Sequence, residues 1–310
     1  MPSDLASNYL QSWASTPNGF ALPVPMSIRY SGTGMADTHQ IDLRAAINAI
    51  SDVVQNRPLP LRIFDQIYMK AGDMVLQSEF VARWADGKRL AFIGDGDAIS
   101  VCVAYIHSRG IMNYGPSQIT VFDFDECICS AVERFADREG LASLNARLYN
   151  CLDEFPEPAG FDCFYTNPPW GASNNGESVC VFVQRGMDST AGTGEGLVVI
   201  ADDDELEWPK EVLARVQKFA IDSGFFVQKM MPKMHSYHLD DAPDLRSCNL
   251  ILKALPGNKP RGPSTRIVEP ERLANFYGRE NAPRVKYVRE IKRLEYGKRH
   301  DDEYSLELLE

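Results

Sequence analysis

Three short stretches carry side chains whose types and spacing suit chemistry. The first is Gly94-Asp95-Gly96-Asp97, between an apolar run and a helical one. Glycine there lets a backbone approach a ligand closely. A dinucleotide site calls for G-x-G-x-x-G, but Ile99 occupies the third glycine position. Two carboxylates in such a loop repel a pyrophosphate and attract a cation: a sulfonium, an α-amine or a polyamine. A plain turn accounts for the same four residues equally well, since Gly and Asp both favour turns. The second stretch is "VFDFDE", where Asp123 and Asp125 alternate onto one side of a strand. Asp123 at a strand end suits a pair of ribose hydroxyls. Asp125 and Glu126 read better as acids favoured at a helix N-terminus. The third is Asn167-Pro168-Pro169-Trp170, where two prolines stop a β-prone run, because each lacks an N–H and fixes φ. An amide at a strand end, followed by carbonyls fixed by proline, offers acceptors to an attacking N–H. Trp170 suits stacking on a flat group or covering a cation. Asn150, closing another strand-like run, suits hydrogen bonds to an adenine edge.

These residues need a frame, and the chain predicts one. "IDLRAAINAISDVVQ" has apolar residues at helical spacing before Pro58 and Pro60 break it. "PNGFALPVPMSIRYSGTG", ahead of it, is turn-rich and suits a short strand or hairpin. From Leu90 onward strands and helices alternate. Strands are predicted at "RLAFIG", "QITVFDFD", "NARLYN", "FDCFYTN", "GEGLVVIAD", "FFVQKMM" and "SCNLILKAL". Helices are predicted from about Ala98 to His107, at "ECICSAVERFADREG" closed by Gly140, at "SVCVFVQRGM", and from Pro209 at the first helical position to Gly224. The alternation implies an α/β protein with a mostly parallel, doubly wound sheet. In such a sheet the strand tips bearing Gly94, Asp123, Asn150 and Asn167 converge on one crevice. Three regions are expected: a small N-terminal α+β segment over residues 1–60, a catalytic domain over 61–255, and a charged extension over 256–310. That extension reads as solvated, with one or two helices, and its acidic end "DDEYSLELLE" as a candidate lid.

Composition narrows the partners. The net charge of −11 disfavours a nucleic-acid backbone and suits a small cationic substrate. No apolar run is long enough to span a bilayer, and no secretory signal is visible, which predicts a cytoplasmic protein without membrane attachment. The seven cysteines include no CxxC pair, so reduced buried thiols are expected, and no metal. His235 and His238 in "KMHSYHLDD" read as a loop at a pocket rim rather than a metal site. Asp202, Asp203 and Asp204 read as a solvated run before a helix.

A wider pattern gathers these pieces. Asp65-Gln66, the Gly94–Asp97 loop, "D-x-D-E" from Asp123 to Glu126, the Pro-Pro loop from Asn167 to Pro169 and Arg185-Gly186 together resemble the branched-chain polyamine synthases, from about Leu61 to Leu255. The resemblance implies a seven-stranded class I methyltransferase-like sheet with one late antiparallel strand, and a homodimer. It also implies transfer of an aminopropyl group from decarboxylated S-adenosylmethionine to a polyamine nitrogen. Under it, Asp97 is the general base, with Asp95 and Asn167 positioning the acceptor. Gln66, Gly94, Gly96, Asp123, Asn150 and Pro168 would hold the donor nucleoside, and Tyr68, Pro169 and Trp170 the acceptor. The chain departs from the family's loops at two places: Gly96 and Asn167 each stand where an aspartate is usual. Those two missing charges leave intact S-adenosylmethionine open as donor. They also leave a second reading: Asn-Pro-Pro-aromatic is a pattern of S-adenosylmethionine-dependent N-methyltransferases acting on planar nitrogens.

Overall fold

The structure is a computed structural model and describes residues 41–156, 160–239, 242, 244–278, 282–292 and 303–309. The hairpin expected before residue 41 lies outside the described residues, as do 301, 302 and 310 of the expected lid; the rest of that stretch forms a strand over Tyr304–Leu308. Helix α1 spans Leu43–Asn56; the Asp42 carboxylate caps it by accepting from the Arg44 and Ala45 N–H groups. It buries Ala46, Ala49, Ile50 and Val53, a stripe at helical spacing. Helix α2, Ala71–Trp84, follows. No sequence signal singled it out, because its apolar residues are not confined to one face.

Next come β1 (Arg89–Ile93), α3 (Ile99–Ser108), β2 (Gln118–Asp123), α4 (Glu126–Glu139), β3 (Leu144–Leu148) and β4 (Cys163–Thr166). They are followed by α5 (Glu177–Ser189), β5 (Glu195–Asp202), α6 (Glu207–Asp222), β6 (Phe225–Ser236) and β7 (Arg246–Ala254). Gly140, at φ 69°, closes α4 as expected. Pro209 is the third residue of α6, two later than expected, in a first turn where a missing N–H costs nothing.

Seven strands form one sheet in the order β3-β2-β1-β4-β5-β7-β6. β1 to β5 pair in parallel, and β7 runs antiparallel to both β5 and β6. This is the mostly parallel, class I methyltransferase-like arrangement that the sequence predicts. Both faces of the sheet are covered. Leu90 and Phe92 of β1 point into the core shared with α1, α2 and α3, while Ala91 and Ile93 point into the core shared with α5 and α6. Strand order reverses at β1, between β2 and β4, so a crevice opens at the carboxyl ends of these strands.

Beyond β7 the chain returns to that crevice. A short helix, α7 (Pro270–Leu273), precedes an antiparallel ribbon of β8 (Val285–Glu290) and β9 (Tyr304–Leu308). A solvated helical extension was expected here. Val285 and Val288 are instead fully buried, and Val288 bridges to Asp125, the residue that caps α4. The charges that suggested solvation are paired: Arg134 of α4 with Glu290, and Arg289 with Glu126 and Glu307. The His235 reading is also corrected. It lies within β6, since that strand continues well past Met231.

Candidate active site

The Gly94–Asp97 loop takes its shape from the end of β1. Gly94 has φ 73°, and a Cβ there would sit 3.1 Å from the Phe182 ring, so glycine fits on both counts. Asp95 turns back onto the first turn of α3. Its Oδ1 accepts from Ile99 N at 2.9 Å, and its Oδ2 accepts from Ser100 N and from the Ser100 hydroxyl. Burial pushes this carboxyl well above its ordinary pKa, and the charges of Asp97 and Asp123 add to the shift.

Asp97 faces the other way. Its Oδ1 accepts from Met69 N at 2.6 Å, and its Oδ2 accepts from Asn167 Nδ2 at 2.6 Å. Burial raises its pKa too, opposed by the Arg57 charge and by these two hydrogen bonds. Arg57 donates to the Asp97 carbonyl at 2.8 Å and lies over the Tyr68 ring at 4.1 Å. Tyr68 is itself fixed by donating to Pro58 O at 2.9 Å. Its ring stands beside Gly96, where a Cβ would approach to 3.3 Å.

Asp123, at the tip of β2, ties two loops together. Oδ2 accepts from Asp95 N at 3.0 Å and Oδ1 from Asp125 N at 2.9 Å. Asp125 caps α4 through Cys127 N, as expected of a helix-leading acid, and also accepts from Gln66 Nε2 at 3.2 Å. Gln66 Oε1 accepts from Leu61 N at 2.7 Å, so its amide is held at both ends.

These elements line a cavity at the strand tips that opens to solvent; the empty space there, the open mouth included, is about 730 Å³. Of the expected site residues, Gln66, Tyr68, Gly94, Asp95, Gly96, Asp97, Asp123, Asn167, Pro168, Pro169 and Trp170 all line it. Asn150 does not, although its neighbours Tyr149 and Cys151 do. Its amide is committed to the protein. Oδ1 accepts from Leu152 N and from the Tyr277 hydroxyl, and Nδ2 donates to the carbonyls of Lys286 and Val285. Asn150 thus braces the C-terminal ribbon where an adenine contact was expected.

Two features of the cavity were not read from the sequence. One is an aromatic wall: Tyr277 stacks on Phe124 at 4.1 Å, and the edge of Phe64 meets both rings. The other is Tyr237, whose ring packs edge-on to Trp170 at 4.9 Å. The residues lining the cavity include four aspartates, Asp65, Asp95, Asp97 and Asp123; among the described residues its lining holds no Lys, Arg or His. Asp202, Asp203 and Asp204 are not among the lining residues.

Residues 45–307 match the model of the family described as the branched-chain polyamine synthase A C-terminal domain. The chain is 26% identical, over 152 residues, to the N(4)-bis(aminopropyl)spermidine synthase of Thermococcus kodakarensis, covering 48% of this chain and 40% of that protein. It is 24% identical over 195 residues to an uncharacterized protein of Methanocaldococcus jannaschii, covering 62% and 46%. The chain therefore matches less than half the length of either curated relative. Among solved structures, the branched-chain polyamine synthase of Thermus thermophilus, in complex with N4-aminopropylspermidine and 5'-methylthioadenosine, superposes with a TM-score of 0.58 at 21% identity. That alignment covers 73% of this chain and 67% of the other, and shows the shared fold. With the matched region spanning nearly the whole described sheet and the ribbon that follows it, the chain belongs to the branched-chain polyamine synthase A C-terminal domain family.

Proposed function

We propose that this chain transfers an aminopropyl group from decarboxylated S-adenosylmethionine to the nitrogen of a small amine or polyamine. One observation carries the reading: four aspartates, Asp65, Asp95, Asp97 and Asp123, line the cavity, and no Lys, Arg or His is among its lining residues. A sulfonium and an ammonium are both stabilised there. The α-carboxylate of intact S-adenosylmethionine would enter a cavity lined by acidic and aromatic residues with no basic side chain among them, so the decarboxylated donor fits better. The aromatic wall of Phe64, Phe124 and Tyr277 offers flat faces to an adenine.

The sulfonium supplies an electrophilic carbon with a neutral sulfide as leaving group. The residues of the chain do the rest. Asp97 binds the acceptor amine and takes its proton; a carboxyl with a raised pKa is the stronger base for that step. The freed nitrogen lone pair forms the new C–N bond as the C–S bond breaks and its electron pair returns to sulfur. Asn167 positions the nitrogen, and the enclosed site holds donor and acceptor in line. Gln66 and Asp123, anchored by backbone N–H groups, suit the nucleoside. The reading includes a cytoplasmic homodimer that works without metal or membrane, and without nucleic acid, which the net charge of −11 disfavours.

Calorimetry with decarboxylated S-adenosylmethionine, the intact form and methylthioadenosine tests the donor; the decarboxylated form should bind tighter than the intact one. Mass spectrometry after incubation with diamines and polyamines should then show aminopropyl increments. The neutral amide of Asn167 before Pro168-Pro169 favours the second reading, N-methyl transfer. Tighter binding of intact S-adenosylmethionine together with methyl increments would establish that reading instead.

A further inference from the structure

The residue after Asp97 stands in a conformation that its side chain disfavours. Ala98 has φ 60° and ψ 33°, in the left-handed region. Asparagine and aspartate visit that region with help from their own side chains; alanine has no such help, and its Cβ crowds the following carbonyl. Strain of this kind persists only where the surroundings hold it in place. Two bonds act within the loop and helix: Ala98 N donates to Asp95 O at 2.9 Å, and Ala98 O accepts from Cys102 N at 3.1 Å at the start of α3. Around this turn the two loop carboxylates part. Asp95 lies back along α3, accepting from Ile99 N and Ser100 N, while Asp97 reaches Met69 N and Asn167.

From outside the loop, Arg57 takes the Asp97 carbonyl. Its Nη1 donates to Asp97 O at 2.8 Å and lies 3.5 Å from Met74 Sδ. The guanidinium is itself held in place. Arg57 closes α1, where its N–H donates to Val53 O at 3.1 Å. Its guanidinium carbon stands over the Tyr68 ring at 4.1 Å, and the Tyr68 hydroxyl donates to Pro58 O at 2.9 Å. Asp97 is thus gripped twice by the segment ahead of β1: by Arg57 at its carbonyl and by Met69 N at its carboxylate. Both grips bear on the peptide that enters the strained turn. The Arg57 charge also opposes the upward shift that burial imposes on Asp97. A charge acting through space needs no bond to the carbonyl, however, and no strained neighbour to hold.

We propose that Arg57 is a positioning residue that holds the Asp97–Ala98 peptide in its left-handed turn and so keeps the Asp97 carboxylate directed into the cavity. Without that grip Ala98 relaxes toward negative φ, and the peptide before it turns, drawing Asp97 off Met69 N and Asn167. The proposal rests on the transfer reading for the task of Asp97, while the strained turn and its grip stand apart from it. NMR of protein carrying isotope-labelled alanine tests the turn directly, because the backbone couplings of Ala98 report the sign of φ. The expected result is a positive φ in the wild type and a shift toward negative φ in Arg57→Met. A negative φ in the wild type, or a turn unchanged in Arg57→Met, overturns the proposal whatever the enzyme transfers.

Kinetics test the consequence through a double-mutant cycle with Ala98→Gly, since glycine takes positive φ without strain. Arg57→Met should lower kcat for amine transfer about tenfold when residue 98 is alanine, the worth of one well-placed hydrogen bond. In the Ala98→Gly background the same substitution should cost about twofold or less, because the turn no longer needs holding. Affinity for methylthioadenosine should hold within about twofold throughout. Equal losses in the two backgrounds overturn the proposal, since a charge acting through space is indifferent to residue 98. Unchanged kcat in Arg57→Met overturns it as well. So does a matching loss of nucleoside affinity and turnover, which an arginine that merely supports the fold would give. Should Arg57→Met fail to fold, the sign of φ at Ala98 in the wild type still decides. If the wild-type protein transfers nothing to any amine, the transfer reading fails, and the couplings of Ala98 in the two proteins still decide what Arg57 holds.

Discussion

The cavity has two walls built on different principles. One comes from the strand tips and is acidic: Asp95 and Asp97 sit in the turn directly after β1 and Asp123 at the tip of β2, and backbone N–H groups hold at least one oxygen of each. The other is aromatic and comes from outside the sheet, with Phe64 ahead of β1 and Tyr277 beyond β7, meeting over Phe124. The acidic wall is placed by local geometry, since a carboxylate after a strand caps the loop or helix that follows it. The aromatic wall is placed by tertiary anchors alone. The lesson is a division of labour: strand tips supply charge at fixed positions, and the flanking segments supply shape.

The sharpest way to break the comparison is to remove charge without removing shape. Asp97→Asn should reduce turnover about a thousandfold, the scale of a lost general base, while nucleoside affinity holds within about twofold. The substitution is sterically mild. Its oxygen can still accept from Met69 N, and its new NH2 group would turn Asn167 over to present an oxygen. Single-turnover kinetics beside calorimetry with methylthioadenosine measure the two quantities. Retained turnover would mean that the acidic wall binds and does no proton transfer.

Next in size is a cut between the walls. Arg185 of α5 is fully buried. Its Nε donates to Cys151 O at 2.9 Å, on the strand-tip side, and its Nη1 and Nη2 donate to the carbonyls of Ser264 and Thr265, at 2.7 and 2.9 Å, in the segment leading to Tyr277. It also pairs with buried Asp188 at 3.1 Å. Arg185→Met should cost about 3 to 4 kcal/mol in urea unfolding, because it strands the Asp188 charge and releases three carbonyls. Arg185→Lys should not restore the loss, since one ammonium cannot span that fork. A cost below about 1 kcal/mol would show that the C-terminal segment is held elsewhere.

How the two walls were built explains what could be read from the sequence. The seven strands and the acidic loops were legible because period-two apolar runs and Gly/Asp turns are local signals. The aromatic wall was not, because nothing local distinguishes Phe64 or Tyr277 from any other surface-prone aromatic. Asn150 shows a subtler limit. A polar residue at a strand tip reads as a ligand, yet the same position suits a brace, and only the ribbon's carbonyls decide. The ribbon itself was misread because two buried valines sit among charges that pair with α4 and β9 rather than with water. His235 was misplaced in a loop for a related reason: the predicted strand stopped at Met231, but β6 passes Pro232 with an irregular register on an edge of the sheet, where a missing N–H is tolerated.

Beneath Tyr237, pH sharpens the contrast with the acidic wall. The folded His235 pKa of about 4 lies below its ordinary 6.5. As pH falls below 6.5 the unfolded chain takes up a proton that the folded one refuses. The stability is therefore complete above 6.5 and is lost between 6.5 and 4, at about 1.4 kcal/mol per pH unit and about 3 kcal/mol in all. The carboxyls of Asp95 and Asp97 are shifted upward, so their contribution has the opposite sign: present at low pH and lost as pH rises through their folded values. Urea unfolding across this range should show a slope that His235→Asn flattens. A slope that the substitution leaves unchanged would assign the acid sensitivity to other groups.

The smallest effect separates shape from hydrogen bonding within the aromatic wall. Tyr277 donates from its hydroxyl to Asn150 Oδ1 at 2.9 Å and stacks on Phe124 with its ring. Tyr277→Phe keeps the ring and deletes the donor, and Asn150 Oδ1 still accepts from Leu152 N. The expected cost is about 1 kcal/mol of stability, with nucleoside affinity unchanged within about twofold. Tyr277→Ala removes the flat face and should weaken methylthioadenosine binding about tenfold. If the phenylalanine variant loses as much nucleoside affinity as the alanine variant, then the hydroxyl, through its grip on Asn150, reaches the ligand, and the aromatic wall is a recognition surface in its own right.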